Sequence, residues 1–311
     1  MRTIATIILF ITTFFGVTAQ EFILSTPTGK IYGELLMPES STPCPIVLII
    51  AGSGPTNMDG NSLGTDYKNN SLRYLAEGLA KEGIATLRYD KRGIGKSMEA
   101  GTSEEELRFE HYIDDAAAWA DTLAKDNRFT KVIIAGHSEG SLIGMVASGK
   151  SSNIDAFISI AGSGTPAYIL LEEQIGRQSE QLLNEAAKIN KELCEGRTVE
   201  YIPNHLASLY RKSVQPYLIS WFRYDPAQEI AKLKIPVLIL QGNKDIQVDI
   251  KEAQKLYMAR IFSSYYIIEN MNHVLKHCES DNALMQLETY KSPDLPIKSE
   301  LIDHITRFIK Q

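Results

Sequence analysis

The sequence predicts an α/β protein, a mostly parallel central sheet flanked by helices, and three observations carry that expectation. Short apolar runs such as Ile46-Val47-Leu48-Ile49-Ile50 and Val132-Ile133-Ile134-Ala135 are bounded by glycine or proline and alternate with stretches of helical spacing. The runs have no polar face, which suits strands covered on both sides. The 311 residues are 44% hydrophobic and 23% charged, a composition suited to one large globular core.

The first 19 residues read differently. A basic start at Met1-Arg2, an apolar run over 4–17, and the small residues Val17 and Ala19 at −3 and −1 before Gln20 predict a secretory signal peptide. That run is too short for a permanent membrane span. Residues 20–311 are therefore expected as one domain, secreted or periplasmic, with no stable membrane anchor after cleavage. The net charge of −6 and the lack of any long like-charge run speak against nucleic acid and anionic membranes as partners. Cys44, Cys194 and Cys278 are too few and too widely spaced for a disulfide framework, although one pair is allowed.

Taken in order, 22–25 and 31–37 flank the turn signal Pro27-Thr28-Gly29 and read as an antiparallel hairpin. After Pro43 and Pro45 comes the strand 46–50, then the loop Ala51-Gly52-Ser53-Gly54-Pro55-Thr56-Asn57. Loops at the carboxyl ends of sheet strands are where α/β proteins hold ligands. The amide of Ser53 is placed to donate to a substrate oxygen, though a plain structural turn would look similar. Residues 72–81 have helical spacing, and 85–89 form the next strand. The following loop contains Gly95-Lys96-Ser97, but a phosphate-binding loop needs glycine where Asp90 stands, so nucleotide binding is rejected. A helix is expected over 113–124.

The strand starting near Lys131 then leads into Gly136-His137-Ser138-Glu139-Gly140 and a helix. A serine on a sharp strand-to-helix turn has its hydroxyl lifted clear of the sheet, and only glycine gives the room needed two places either side. The turn aims the Glu139 amide, at a helix N-terminus, toward any negative oxygen forming beside Ser138. After the strand 156–161 the alternation stops. Residues 163–225 read as a helical insertion placed to cover the site as a lid, or to serve as added scaffold. Its aromatics Tyr210, Tyr217, Trp221, Phe222 and Tyr224 are expected in the core. Alternation resumes with the strand 235–242 before Asp245, and with 265–268 before His273; 301–310 closes the chain as an amphipathic helix.

Ser138, Asp245 and His273 thus stand at strand ends that a parallel sheet brings to one edge. Imidazole can take a proton from serine near neutral pH and return it to a leaving group. A buried carboxylate fixes its tautomer and steadies the imidazolium. Asp249 is a rival acid four residues on. His273 and His277 are spaced for one metal, but no third ligand or H-E-x-x-H pattern accompanies them, so neither a metal nor a cofactor is expected.

The segments 51–56, 89–97, 136–140, 241–248 and 270–273 together resemble a secreted carboxylesterase of the α/β-hydrolase superfamily, close to its serine-aminopeptidase-like and acyl-esterase branch. The resemblance implies the α/β-hydrolase fold, Ser138 as nucleophile, His273 as base and Asp245 as acid. It also implies an oxyanion hole made by the backbone N–H groups of Ser53 and Glu139, and a structural role for 90–97. Relatives often carry Asp where Asn57 stands. The expected activity is hydrolysis of small acyl or carbohydrate esters. The alternative is a serine aminopeptidase, which would need a lid carboxylate such as Glu172, Glu173 or Glu180 to hold a free amino terminus. A binding protein on a hydrolase scaffold is disfavoured by the complete triad. Oligomeric state is left open.

Overall fold

The structure, a computed structural model, describes residues 18–39 and 43–311. The expected signal peptide lies outside the described residues except for Thr18 and Ala19, which open the first strand. Eight strands form one sheet: β1 Thr18–Thr26, β2 Gly29–Met37, β3 Cys44–Ile50, β4 Ala85–Tyr89, β5 Phe129–His137, β6 Ala156–Ile160, β7 Val237–Gly242 and β8 Ser264–Ile268. Their spatial order is β1-β2-β4-β3-β5-β6-β7-β8. β1 and β2 form the antiparallel hairpin, β2 is antiparallel to β4, and every later neighbour is parallel.

The strands lack polar faces because two cores sandwich them. In β3, Ile46, Leu48 and Ile50 face one core while Val47 and Ile49 face the other; Ile134 and Ile133 of β5 divide in the same way. Each fully buried aliphatic side chain of this kind contributes about 1.5–3 kcal/mol. The helices are α1 Ser71–Lys81, α2 Phe109–Leu123, α3 Glu139–Lys150, α4 Ala167–Gly176, α5 Glu180–Cys194, α6 Ala207–Tyr210, α7 Gln215–Trp221, α8 Pro226–Lys232, α9 Ile250–Ala259, α10 Ala283–Tyr290 and α11 Ser299–Ile309. α1 and α11 cover one face through Leu72, Leu75, Leu79, Leu301 and Ile305, and Gly78 leaves room for Ile302 between them. α2, α3 and α9 cover the other face.

α3 is buried over Gly140–Ser148, because the sheet lies on one side of it while α2 and α8 pack against it as well. A helix that reads as apolar all round is accommodated in this way. The helical region after β6 runs from α4 through α8, so it extends past 225 to Lys232. α2 begins at Phe109, four residues before the expected 113, since Phe109 and Tyr112 pack into the core ahead of the periodic run. Cys44, Cys194 and Cys278 are all unpaired.

The loop after β4 is a charge-locked corner. Asp90 accepts from the amides of Met58 (2.7 Å) and Lys96 (2.8 Å), and a Cβ on Gly95 would lie 2.2 Å from its Oδ2. Arg92 grips Asp115 of α2 with two bonds, Nε to Oδ2 at 2.7 Å and Nη2 to Oδ1 at 2.5 Å, both side chains being buried. Such a bidentate pair fixes the loop in two directions at once.

Candidate active site

β5 delivers Ser138 to a sharp turn, and α3 leads away from it. Ser138 has φ 55° and ψ −123°, a conformation that L residues avoid and that costs on the order of 1–3 kcal/mol. Its amide is fixed by the Ile160 carbonyl of β6 at 3.0 Å. The flanking glycines are sterically required: a Cβ on Gly136 would lie 2.1 Å from the Gly140 carbonyl oxygen, and one on Gly140 would lie 2.4 Å from the Ile50 oxygen. The backbone thus folds back on itself around the serine, leaving its side chain at a cavity wall.

β7 and β8 supply the other two groups. His273 Nδ1 lies 2.7 Å from Asp245 Oδ2, and both side chains are buried. The Asp245 carboxylate meets three further donors, the amides of Gln247 and Val248 at 2.8 Å each on Oδ1 and Gln241 Nε2 at 2.9 Å on Oδ2. Burial pushes this carboxyl up, but the His273 ring and the two backbone amides outweigh it, so its pKa lies below the usual value. A carboxylate so bound holds the His273 proton on Nδ1 and leaves Nε2 as an acceptor. The rival Asp249 is exposed and caps α9 by accepting from the Lys251 amide at 2.9 Å. His273 and Ser138 line one cavity together, while no hydrogen bond joins the Ser138 hydroxyl to the ring. Such bonds are often long in unliganded sites.

His137 also bears on this site. Its Nε2 is 2.8 Å from the His273 carbonyl oxygen and the two rings lie 4.9 Å apart. Burial, then the His273 ring, push His137 down to about 4, so at neutral pH it is an uncharged strut under the loop that carries His273.

Ser53 and Glu139 both border Ser138, and neither N–H has a protein acceptor among the described residues. Two cavities meet at the serine. One is largely apolar, with Leu142 of α3, Leu170 and Leu171 of α4, Trp221 of α7, and Val248. The other carries hydroxyl and amide groups from Thr56, Ser62, Tyr67, Asn69, Ser71 and Tyr290, and includes His273. Of the expected core aromatics, Tyr210, Tyr217 and Phe222 are buried, while Trp221 is half-buried, stacks on Phe109 at 5.9 Å and lines the apolar cavity.

Several other groups settle into plain roles. His277 is exposed beside Glu279, His111 accepts from the Arg108 amide at 3.3 Å, His205 meets Glu185 and His304 stacks on Tyr266. Asn57 Oδ1 accepts the amides of Asp59 and Asn61 and so shapes its own loop. Among the described residues no three His, Cys, Asp or Glu side chains gather as a metal set.

Two residues of this site have no strong sequence signal. Gln241, buried in β7, bridges Asp245 and the Val248 carbonyl (2.9 Å). Lys91, from the loop expected to be purely structural, reaches Gly52 and Glu139.

Known proteins share this fold. Residues 66–218 match the family model described as serine aminopeptidase. Esterase EstD of Thermotoga maritima is 26% identical over 257 residues, covering 78% of this chain and 57% of that protein. The chain thus spans little more than half the length of this relative. Est1E from Butyrivibrio proteoclasticus superposes with a TM-score of 0.60 at 19% identity, covering 94% of this chain and 99% of that one. It has also been solved with ferulic acid bound. Esterase Pf2001 of Pyrococcus furiosus superposes with a TM-score of 0.55 at 16% identity, over 94% and 92% of the two chains.

The depressed Asp245 carboxyl makes a prediction about acid stability. Its contribution is complete above the unfolded-state value of about 3.9 and is lost as pH falls through the lower folded-state value. The gap in urea midpoint between the wild type and Asp245→Asn should therefore be open at pH 5 and narrow as pH falls below about 3.9. A gap that does not narrow would mean the carboxyl is not held charged.

Proposed function

We propose that the chain is a serine esterase of the α/β-hydrolase superfamily, acting through an acyl-enzyme on small acyl or carbohydrate esters, with Ser138, Asp245 and His273 as its triad. The observation that carries the reading is the strained Ser138 facing the same cavity as a His273 ring already oriented by Asp245.

Each step follows from this placement. His273 Nε2 takes the Ser138 proton as Oγ attacks the ester carbonyl carbon, and the Nδ1–H stays bonded to the Asp245 carboxylate. The carbonyl π electrons move onto oxygen, where the Ser53 and Glu139 amides receive the negative charge. The tetrahedral intermediate collapses as the C–O bond to the alcohol breaks, and His273 gives the alcohol its proton. Water, deprotonated by the same imidazole, then attacks the acyl-enzyme, and the acid is released with Ser138 reprotonated.

The cavities support an assignment of substrate halves. The leaving alcohol departs on the side of His273, where the hydroxyl- and amide-bearing cavity suits a sugar or another polar alcohol. The acyl group stays on Ser138 beside Leu142, Leu170, Leu171 and Trp221, where an aliphatic or aromatic acid is desolvated. Ferulic acid, the compound solved with Est1E, is an acid of the second kind. An aminopeptidase needs a free carboxylate in the cavity, and among the described residues the only acidic side chain lining either cavity is Glu139, paired with Lys91. Glu172 is bonded to Asn190 instead, and Glu173 and Glu180 line neither cavity. This favours esters over peptides.

Residues 1–19 are proposed as a signal peptide that takes the protein out of the cytoplasm. Thr18 and Ala19 pair with Met37 and Leu36, so cleavage after Ala19 would shorten β1 by two residues. N-terminal sequencing of protein from the periplasm or medium should begin at Gln20; an uncleaved chain retained in the cytoplasm would reject the proposal.

Ser138 should take up a fluorophosphonate probe, and Ser138→Ala should abolish both labelling and ester hydrolysis in a protein that still folds. Asp245→Asn should lower kcat on the order of 10⁴-fold, whereas Asp249→Asn should change it little. Labelling that survives Ser138→Ala, or the reverse order for the two Asp variants, would break the assignment. Turnover of amino-acid arylamides with no turnover of aryl esters would favour the aminopeptidase.

Leu171→Trp should narrow the apolar cavity. The kcat/KM for hexanoyl or cinnamoyl esters is expected to fall about 10-fold while acetyl esters change less than about twofold, in line with the worth of a few methylenes in an apolar pocket. An equal loss on every acyl group would place acyl recognition elsewhere.

A further inference from the structure

We propose that Lys91 is a positioning residue that sets both donors of the oxyanion hole at once, a role that rests on the triad reading above. Its ammonium donates to the Gly52 carbonyl oxygen at 2.6 Å and to Glu139 Oε1 at 3.2 Å, and it lies 4.9 Å from the centre of the Tyr112 ring. The residue as a whole is 1% exposed. A carbonyl, a carboxylate and an aromatic face thus surround the ammonium.

The consequence comes from peptide geometry. The Gly52 carbonyl and the Ser53 N–H belong to one planar trans peptide, so they point in opposite directions. Anchoring the carbonyl on Lys91 turns the Ser53 N–H the other way, and drawing electron density to the carbonyl oxygen strengthens that N–H as a donor. The second donor is the amide of Glu139, whose own carboxylate is held by the same ammonium and, on Oε2, by the Tyr217 hydroxyl at 3.1 Å. Lys91 follows β4, Gly52 follows β3 and Glu139 follows β5, three adjacent strands of the sheet. One cation therefore ties together the loops that must keep a fixed spacing for two amides to reach one oxygen. A buried ion pair is seldom more stabilising than an apolar pair of the same volume. Fold stability alone gives no reason for a lysine at this point, whereas loop positioning does.

Lys91→Met keeps an unbranched apolar side chain one atom shorter than lysine and removes its donors. The expected result on an aryl acetate is a kcat lowered about 100-fold, the range for loss of an oxyanion donor, with KM changed less than about threefold. The pH–rate inflection of the base should stay where it is. An alkyl boronic acid, which forms a tetrahedral adduct on the serine, should lose affinity by about the same 100-fold, while the carboxylate product binds as before. Lys91→Met leaves Glu139 without its counter-ion, so the Lys91→Met/Glu139→Gln pair is measured beside it. That variant has no stranded charge and should fold, yet stay slow, because Gly52 still lacks its donor. Recovery of kcat in the double variant, or an undiminished kcat in Lys91→Met, overturns the proposal: Lys91 would then merely neutralise Glu139 or be idle. Full activity in Ser138→Ala would instead overturn the triad reading, and this proposal with it.

Discussion

The backbone of Ser138, held at φ 55° and ψ −123°, is the constraint on which the site depends. Nothing local favours it, and the surrounding fold has to impose it. On one side the Ile160 carbonyl fixes the serine amide; on the other, Gly140 lies so close to Ile50 and Ala51 that no Cβ fits. These partners come from β3 and β6, the neighbours of β5 on its two sides. The strain is therefore supported by the parallel core, where residues such as Ile134 and Phe157 are fully buried, and an error in register there would release the turn.

Charge is handled by complete coordination. Asp245 is buried but meets four donors, one of them the His273 ring, and Lys91 is buried with an oxygen or ring on each side. A buried charge with an unfilled position would cost far more than these pairs gain. His137 follows the opposite rule. It sits among the same groups without a carboxylate of its own, and burial keeps it neutral, so it holds the His273 loop without competing for the Asp245 carboxylate.

Much of this arrangement is legible in the sequence because it depends on periodicity and strand ends. The apolar runs place β3 through β8, and the polar residues past β5, β7 and β8 include Ser138, Asp245 and His273. Other features depend on three-dimensional neighbours and leave little trace. Lys91 sits in a loop whose glycines and charges suggest a turn, and its partners Gly52 and Glu139 are 39 and 48 residues away. Gln241 looks like the polar end of an apolar strand. α10 is short, with Leu284 and Met285 exposed, so its hydrophobic pattern does not mark a core face. The early start of α2 at Phe109 comes from tertiary packing, with the Ser220 hydroxyl accepting the Phe109 amide at 2.8 Å.

The same neighbours decide how the helices after β6 relate to the chemistry. Substrate discrimination commonly resides in such additions and chemistry in the sheet loops, but here the two are in contact. Tyr217 of α7 bonds Glu139, whose amide borders Ser138, while Arg177, at the end of α4, bonds the Ile246 carbonyl in the loop of Asp245 at 3.2 Å. The apolar cavity lies between these attachments, walled by Leu170, Leu171 and Trp221. A shift of α7 would break a bond to the residue carrying one candidate oxyanion donor, and a shift of α4 would pull on the segment that carries Asp245. On the proposed reading, the side of the cavity that takes the acyl group is therefore mechanically joined to the groups that would act on it. A poorly seated acyl chain would be penalised in the chemical step as well as in binding, because binding energy spent holding α4 and α7 in place also keeps the donors aligned.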